Sequence, residues 1–188
     1  MKIRNEEILC AGHGGQGIML MGKLLALTAM NIGYEVTWIP SYGAEVRGGT
    51  AHAMIRIRDK EKIANPVVTH PGICVVMNRP SLAKFICRVK PGGLFVADSS
   101  NIPEIPSAKG VTVRSAPFEK IALGLGDKRA ANMVALGMMN GLKGLFPLER
   151  LKEGIKYVFA GKESLLAVNM KAIDEGDALG KAEVTRIG

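Results

Sequence analysis

The sequence predicts an α/β fold: a single Rossmann-like domain with a mostly parallel sheet, helices on both faces and a helical C-terminal third. Three observations point there. Short apolar runs alternate with helix-length segments up to Pro117, the order that builds an open sheet covered on two sides. A glycine-rich turn joins the first apolar run to the first helical segment. Beyond Pro117 the strand-like runs stop and helical periodicity takes over.

The first strand is expected over Glu7 to Ala11, where Ile8-Leu9-Cys10 forms a short apolar run ending at glycines. A helix follows from about Ile18 to Asn31. It is apolar almost all round, broken mainly by Lys23, Thr28 and Asn31, and so should be buried on several sides. A strand over Glu35 to Ile39 closes a first β-α-β unit. In the next strand Ala51, Ala53, Ile55 and Ile57 face one way, and His52, Met54, Arg56 and Arg58 the other. This period of two marks one covered and one polar face.

Ile73 to Met77 and Leu94 to Asp98 are further strands, with a helix over Ser81 to Val89 ended by Pro91-Gly92-Gly93. Val111 to Ser115 completes the strands. Arg129 to Leu145 is a second helix with little solvent face, and Leu148 to Val158 and Glu163 to Glu175 are amphipathic helices. The domain is expected to span 1–176, and the stretch 177–188, after Gly176, to be a flexible tail.

Gly12, Gly14 and Gly17 fit the spacing G-x-G-x-x-G between a strand and a helix. Glycines there allow a tight turn, and backbone N–H groups at the helix start favour a phosphate. A tight turn without ligand fits the same spacing. A dinucleotide fold usually ends its second strand with an acid that holds the adenosine ribose. Here that strand ends Val36-Thr37-Trp38-Ile39-Pro40, which disfavours NAD.

A second glycine loop, Ser41-Tyr42-Gly43-Ala44-Glu45-Val46-Arg47-Gly48-Gly49, sets an acid beside a base. Glu45 and Arg47 make either a solvated ion pair of little energetic weight or a docking element. In the second case Arg47 offers its planar fork to a carboxylate or phosphate.

The two loops, in this order, resemble the gamma subunit of the 2-oxoacid:ferredoxin oxidoreductase family. Asn65-Pro66-Val67, Val76-Met77-Asn78, Val89-Lys90-Pro91-Gly92-Gly93 and Asp98-Ser99-Ser100 follow the same pattern. So does Arg129 with Asn132-Met133-Val134-Ala135-Leu136-Gly137, and the resemblance covers nearly the whole chain. It implies a thiamine-diphosphate-dependent complex that oxidatively decarboxylates a 2-oxoacid to acyl-CoA and passes electrons to ferredoxin. The chain's size is similar to that of gamma subunits of the 2-oxoglutarate type, with branched-chain 2-oxoacids and pyruvate as the other substrates.

By the same resemblance, thiamine diphosphate, Mg and the iron–sulfur clusters sit on other subunits or domains, and the gamma module borders the coenzyme A path. Gly12, His13, Gly14, Gly15, Gln16, Gly17 and Arg47 would then face the coenzyme A phosphates, with Arg56 as a further candidate. Ser41, Tyr42, Gly43, Glu45, Gly48 and Gly49 would form a subunit-interface loop. The implied partners are alpha and beta subunits, a delta subunit being a further candidate, and ferredoxin through the complex.

Composition agrees by exclusion. Cys10, Cys74 and Cys87 are widely spaced and form no C-x-x-C pair, so neither an iron–sulfur cluster nor a structural zinc is expected on this chain. Gly126-Asp127-Lys128 fails the thiamine-type Gly-Asp-Gly at its third position. No catalytic residue or metal is expected, and the isolated chain should be inactive. The formal charge of +8 favours acidic partners, but no block of consecutive basic residues and no aromatic-rich motif supports nucleic-acid binding. The charged N-terminus and the lack of a membrane-length apolar run predict a cytoplasmic location with no membrane partner. Two alternatives remain: a free-standing dinucleotide-dependent reductase and a basic nucleic-acid-binding protein. The apolar stretches Ile18 to Met30 and Met133 to Leu142 predict self-association of the isolated chain.

Overall fold

Continuous apolar runs make strands buried on both faces, whereas alternating runs make strands with one polar side. Both kinds occur in the computed structural model, which describes residues 5–41 and 50–186. The chain divides into two compact units, Met1–Pro117 and Phe118–Gly188.

The first unit holds β1 (Glu6–Gly12), α1 (Ile18–Asn31), β2 (Glu35–Ser41), β3 (Ala51–Arg58), β4 (Ile73–Val76), α2 (Arg79–Phe85), β5 (Leu94–Asp98) and β6 (Thr112–Ala116). A short 3-10 turn over Ile86–Arg88 extends α2. Among the described residues these strands form one sheet in the order β2-β3-β1-β4-β5-β6. The pairs β1–β4, β4–β5 and β5–β6 are parallel, and β3 is antiparallel to both β1 and β2.

The expected first β-α-β unit is therefore modified. β1 and β2 run the same way, but β3 lies between them. The reason was present in the alternation of β3. It is a hairpin partner, with Ala51, Ala53, Ile55 and Ile57 buried and His52, Met54, Arg56 and Arg58 only half-buried. β4 and β5, buried along their whole length, are the parallel centre.

Helices cover both faces of this sheet. α1 lies on the Ala53 side, where Gly22 allows the approach: a Cβ there would stand 2.7 Å from the Ala53 methyl and 2.9 Å from Trp38 Nε1. Its buried stripe is Ile18, Met21, Leu24, Leu25, Thr28 and Ala29. α2 lies on the Met54 side, over a cluster that includes Leu9, Ala11, Cys74, Val76, Phe85 and Phe95. Burying Phe85 and Phe95 contributes roughly 2–3 kcal/mol each before entropy is counted. Asn78 starts α2 by accepting a hydrogen bond from Ser81 N at 3.0 Å.

At the amino edge of the sheet, Glu7 gathers three cations. Its Oε1 lies 2.7 Å from Arg56 Nη2 and 3.0 Å from Arg58 Nη2, and its Oε2 meets the Lys90 ammonium. Burial alone would raise the Glu7 pKa. The hydrogen bonds from Lys90 and Arg58, with the Lys90 and Arg56 charges, outweigh it and hold the carboxyl below its ordinary value. A carboxylate lowered on folding contributes stability that is complete above its unfolded-state value and is lost as the pH falls through the folded-state value. We expect Glu7→Gln to destabilise the protein by about 1–3 kcal/mol at neutral pH. In paired denaturant titrations, the gap between wild type and variant should close as the pH falls below the ordinary glutamate value of 4.5. A gap that stays constant down to strongly acidic pH refutes the assignment.

The second unit holds α3 (Phe118–Gly124), a 3-10 turn (Lys128–Ala130), α4 (Ala131–Lys143), α5 (Leu148–Val158) and α6 (Glu163–Thr185). α4 and α6 cross at glycines one turn apart on each helix: Gly137 and Gly141 against Gly176 and Gly180. A Cβ at Gly141 would stand 3.0 Å from Gly180 Cα, and one at Gly180 would stand 2.9 Å from Gly141 Cα. Backbone thus packs on backbone. A buried polar network accompanies the crossing. Asn140 Nδ2 donates to Phe146 O (3.1 Å) and Asp177 Oδ1 (3.0 Å), and Asn140 Oδ1 accepts from Phe146 N (3.0 Å). Asp177 Oδ2 meets Lys181 Nζ at 2.6 Å.

Two expectations change here. The flexible tail is corrected, because α6 continues through Gly176 to Thr185 and Asp177 and Gly180 are buried. Gly176 reads as a helix stop in sequence, yet it is where α4 makes its closest approach. The ground for self-association also narrows. Met133 to Asn140 are buried within the chain itself, while α1 leaves Met19, Leu20, Ala26 and Leu27 half-buried and Met30 exposed.

Candidate functional site

Parallel strands deliver their loops to one edge, and ligands of open α/β sheets gather at that carboxyl edge. Here β1 ends in the glycine loop, β4 in Met77-Asn78 and β5 in Ser99-Ser100-Asn101. Met77 N donates to Ala11 O at 2.9 Å, which holds the first two endings side by side.

Gln16 braces the glycine loop. Its Oε1 accepts from His13 N at 2.9 Å, its Nε2 donates to Met77 O at 2.9 Å, and its backbone N–H bonds His13 O at 3.2 Å. Both ends of the amide are thereby engaged, so Gln16 shapes the loop. Gly12 is buried in the strand, where a Cβ would stand 2.6 Å from Gln16 Oε1. Gly15 and Gly17 adopt left-handed backbone, with φ of 95° and 69°, which side chains resist. His13, Gly14 and Gly15 form the exposed tip, and His13 Nδ1 lies 2.7 Å from Gly14 O.

Gly17 is the N-cap of α1, and no side chain caps the helix start. The first backbone N–H groups of a helix have no intrahelical acceptor and carry the positive end of its dipole. The first turn contains no acidic residue that would compete for them. Chemically, this edge can hold an anion against backbone N–H groups.

Of the second loop, Ser41 ends β2 opposite His52. Tyr42, Gly43, Glu45, Arg47, Gly48 and Gly49 lie outside the described residues. Arg56, a further phosphate candidate, is corrected. The antiparallel register that sets Gly12 opposite Ala51 sets Glu7 opposite Arg56, so its guanidinium serves Glu7 at the far edge of the sheet.

The remaining motif residues shape backbone. The buried Asp98 accepts from Ser100 N (3.0 Å) and Asn101 Nδ2 (2.9 Å). In the second unit, Arg129 Nε approaches the Asp127 carboxylate oxygens at 3.0 and 2.9 Å, and those bonds hold the Asp127 carboxyl below its ordinary value.

Cys10 and Cys74 are buried and Cys87 is exposed. Burial pushes the Cys10 thiol up to about 12 and, with Cys10 beside it, raises Cys74 as well. No group of three or more His, Cys, Asp or Glu among the described residues is placed to hold a metal ion. Among the same residues, no helix is long and apolar enough to cross a membrane.

The sheet and its glycine loop define an α/β protein with a glycine-rich strand-to-helix turn at the carboxyl edge of its parallel strands. The chain belongs to the family described as pyruvate ferredoxin/flavodoxin oxidoreductase, whose model matches residues 7–179 and so reaches into both units.

It is 40% identical over 174 residues to the ketoisovalerate oxidoreductase subunit VorA of Methanothermobacter thermautotrophicus, covering 90% of this chain and 35% of that one. It is 33% identical over 158 residues to the 2-oxoglutarate synthase subunit KorC of the same organism, covering 80% of this chain and 83% of that one. The chain thus spans about a third of the length of the VorA relatives it matches. Among solved structures it resembles the gamma subunit of a keto/oxoacid ferredoxin oxidoreductase from Geobacter sulfurreducens. The TM-score is 0.81 and the identity 26%, with 94% of this chain and 99% of that one covered. It also resembles 2-oxoglutarate:ferredoxin oxidoreductase from Magnetococcus marinus with 2-oxoglutarate, coenzyme A and succinyl-CoA bound. There the TM-score is 0.85 and the identity 31%, with 96% of this chain and 32% of that one covered.

Proposed function

We propose that this chain is the gamma-type subunit of a cytoplasmic 2-oxoacid:ferredoxin oxidoreductase, inactive alone, whose glycine loop receives coenzyme A. The observation that carries the reading is the braced loop at the carboxyl edge. Gln16 fixes it to Met77, its exposed tip is His13-Gly14-Gly15, and the uncapped start of α1 stands behind it. A diphosphate fits such a site, because the N–H groups that would hold it are set before it arrives.

This chain would orient and neutralise the coenzyme's phosphates while the reaction proceeds on partner subunits. Thiamine diphosphate with Mg supplies the decarboxylation chemistry there, and iron–sulfur clusters supply the route for electrons to ferredoxin. Support for a coenzyme A site comes from the Magnetococcus enzyme, solved with coenzyme A bound. Support for partner subunits comes from VorA, in which the matched segment is about a third of a longer chain. The half-buried apolar residues of α1 supply a surface for such a partner. The two relatives described above differ in substrate, ketoisovalerate for one and 2-oxoglutarate for the other, and substrate choice is assigned to the partner chains.

The test is purification of the tagged chain from its native cell. We expect it to bring down a complex that oxidises a 2-oxoacid only when coenzyme A is present and reduces ferredoxin, whereas the separated chain shows no turnover. A chain that turns over a 2-oxoacid alone sinks the proposal, as does a purified complex indifferent to coenzyme A.

A further inference from the structure

We propose that Lys84 is a phosphate-binding residue of the coenzyme A site, placing its ammonium beside the glycine loop to contact the diphosphate; this rests on the reading of that loop given above. The argument is one of register. The β1–β3 ladder ends at the carboxyl edge with Gly12 opposite Ala51. Thr50 immediately precedes that rung, and Lys84 Nζ donates to Thr50 Oγ1 at 3.0 Å. Helical side chains lean toward the helix N-terminus, so a lysine near the end of α2 reaches back along the helix to the edge where β4 ends.

The surroundings leave this charge available to a ligand. Among the described residues, the Lys84 ammonium meets the Thr50 hydroxyl and stands 5.5 Å from the Phe85 ring centroid, with no carboxylate as partner. Arg88 stands 5.4 Å from the same ring, and the His52 ring is 5.3 Å away, centroid to centroid. No acidic residue occurs in the sequence between Glu61 and Asp98. Lys84, Arg88 and His52 thus gather around Phe85 on the α2 face, and Lys84 reaches the residue next to the rung that pairs with Gly12. A lysine ammonium is a compact point charge suited to a phosphate, complementing the backbone N–H groups of the loop.

The test is calorimetric titration of coenzyme A into the complex carrying wild-type chain, Lys84→Gln or Lys84→Arg. Lys84 is exposed, so both variants should keep the wild-type melting temperature. We expect Lys84→Gln to bind coenzyme A about 10- to 100-fold more weakly, and Lys84→Arg, which keeps the charge, to recover most of the loss. Dephospho-coenzyme A lacks the ribose phosphate but keeps the diphosphate, so it should show the same Lys84→Gln penalty. A penalty confined to coenzyme A itself overturns the diphosphate assignment. Equal binding by wild type and Lys84→Gln overturns the role of Lys84 and leaves the loop reading standing. A wild-type complex that does not bind coenzyme A overturns both.

Discussion

Replacing Gly176 by alanine should cost about 2–3 kcal/mol and lower the melting temperature by roughly 5–10 °C. The added Cβ would run into the Val134 carbonyl oxygen and stand 2.9 Å from Met138 N, both backbone atoms of α4 that no rotamer change can move. α4 and α6 must therefore separate, which loosens the reciprocal fits at Gly137, Gly141 and Gly180 and stretches the Asn140–Asp177 hydrogen bond. Alanine is the better helix former by about 1 kcal/mol, a gain too small to offset the clash. Gly124→Ala is the control, since a Cβ there meets nothing within 4 Å. Differential scanning fluorimetry separates the two, and equal melting temperatures for both variants would show that the helices can part without cost.

Gly14→Val should weaken coenzyme A binding to the assembled complex by about a hundredfold while leaving assembly and stability intact. Gly14 is the glycine of the loop best suited to this test. It is exposed and is not among the left-handed glycines, whereas Gly15 and Gly17 are. A side chain at Gly14 thus needs no left-handed backbone and, at the exposed tip, would stand in the way of a phosphate approaching the loop. A hundredfold loss is about 2.7 kcal/mol, the worth of one or two charge-assisted N–H contacts. The readout is the dissociation constant, alongside a sedimentation profile that verifies assembly. Wild-type affinity in an assembled Gly14→Val complex would reduce the loop to a structural turn.

Much of the fold was legible because periodicity is strong in these elements. The helix from Ile18 to Asn31, the strand from Leu94 to Asp98 and the helix from Leu148 to Val158 all lie where the apolar pattern sets them. Strand order was less legible. Whether β2 lies against β1 or against β3 depends on pairing between distant segments, and local alternation names the face of a strand without naming its neighbour. The reach of α6 was missed for a different reason. Glycine carries a helix-ending tendency in its own chemistry, and the contact that reverses it lies on another helix.

At the site, the sequence located the loop but could not assign roles within it. Gln16 stands among glycines as a plausible ligand, and only the Met77 carbonyl shows it to be a brace. Arg56 has the right chemistry for phosphate, and the register places it with Glu7 instead. Lys84 had no local signal at all, being one basic residue on a short helix until Thr50 is seen beside it.

The position of β3 also bears on how the sheet is assembled in time. β1 finds both its neighbours far down the chain, Ile8 against Ile55 on one side and against Ile73 on the other. The β2–β3 hairpin closes over a much shorter loop, with Ser41 opposite His52. During synthesis the first strand must therefore wait unpaired, and the hairpin behind it is the earliest sheet that can form. Long-range closure of this kind is slow compared with local pairing. Until β4 has left the ribosome, the strand that ends in the glycine loop has only one of its two partners, so the loop's brace to Met77 is among the late contacts to form.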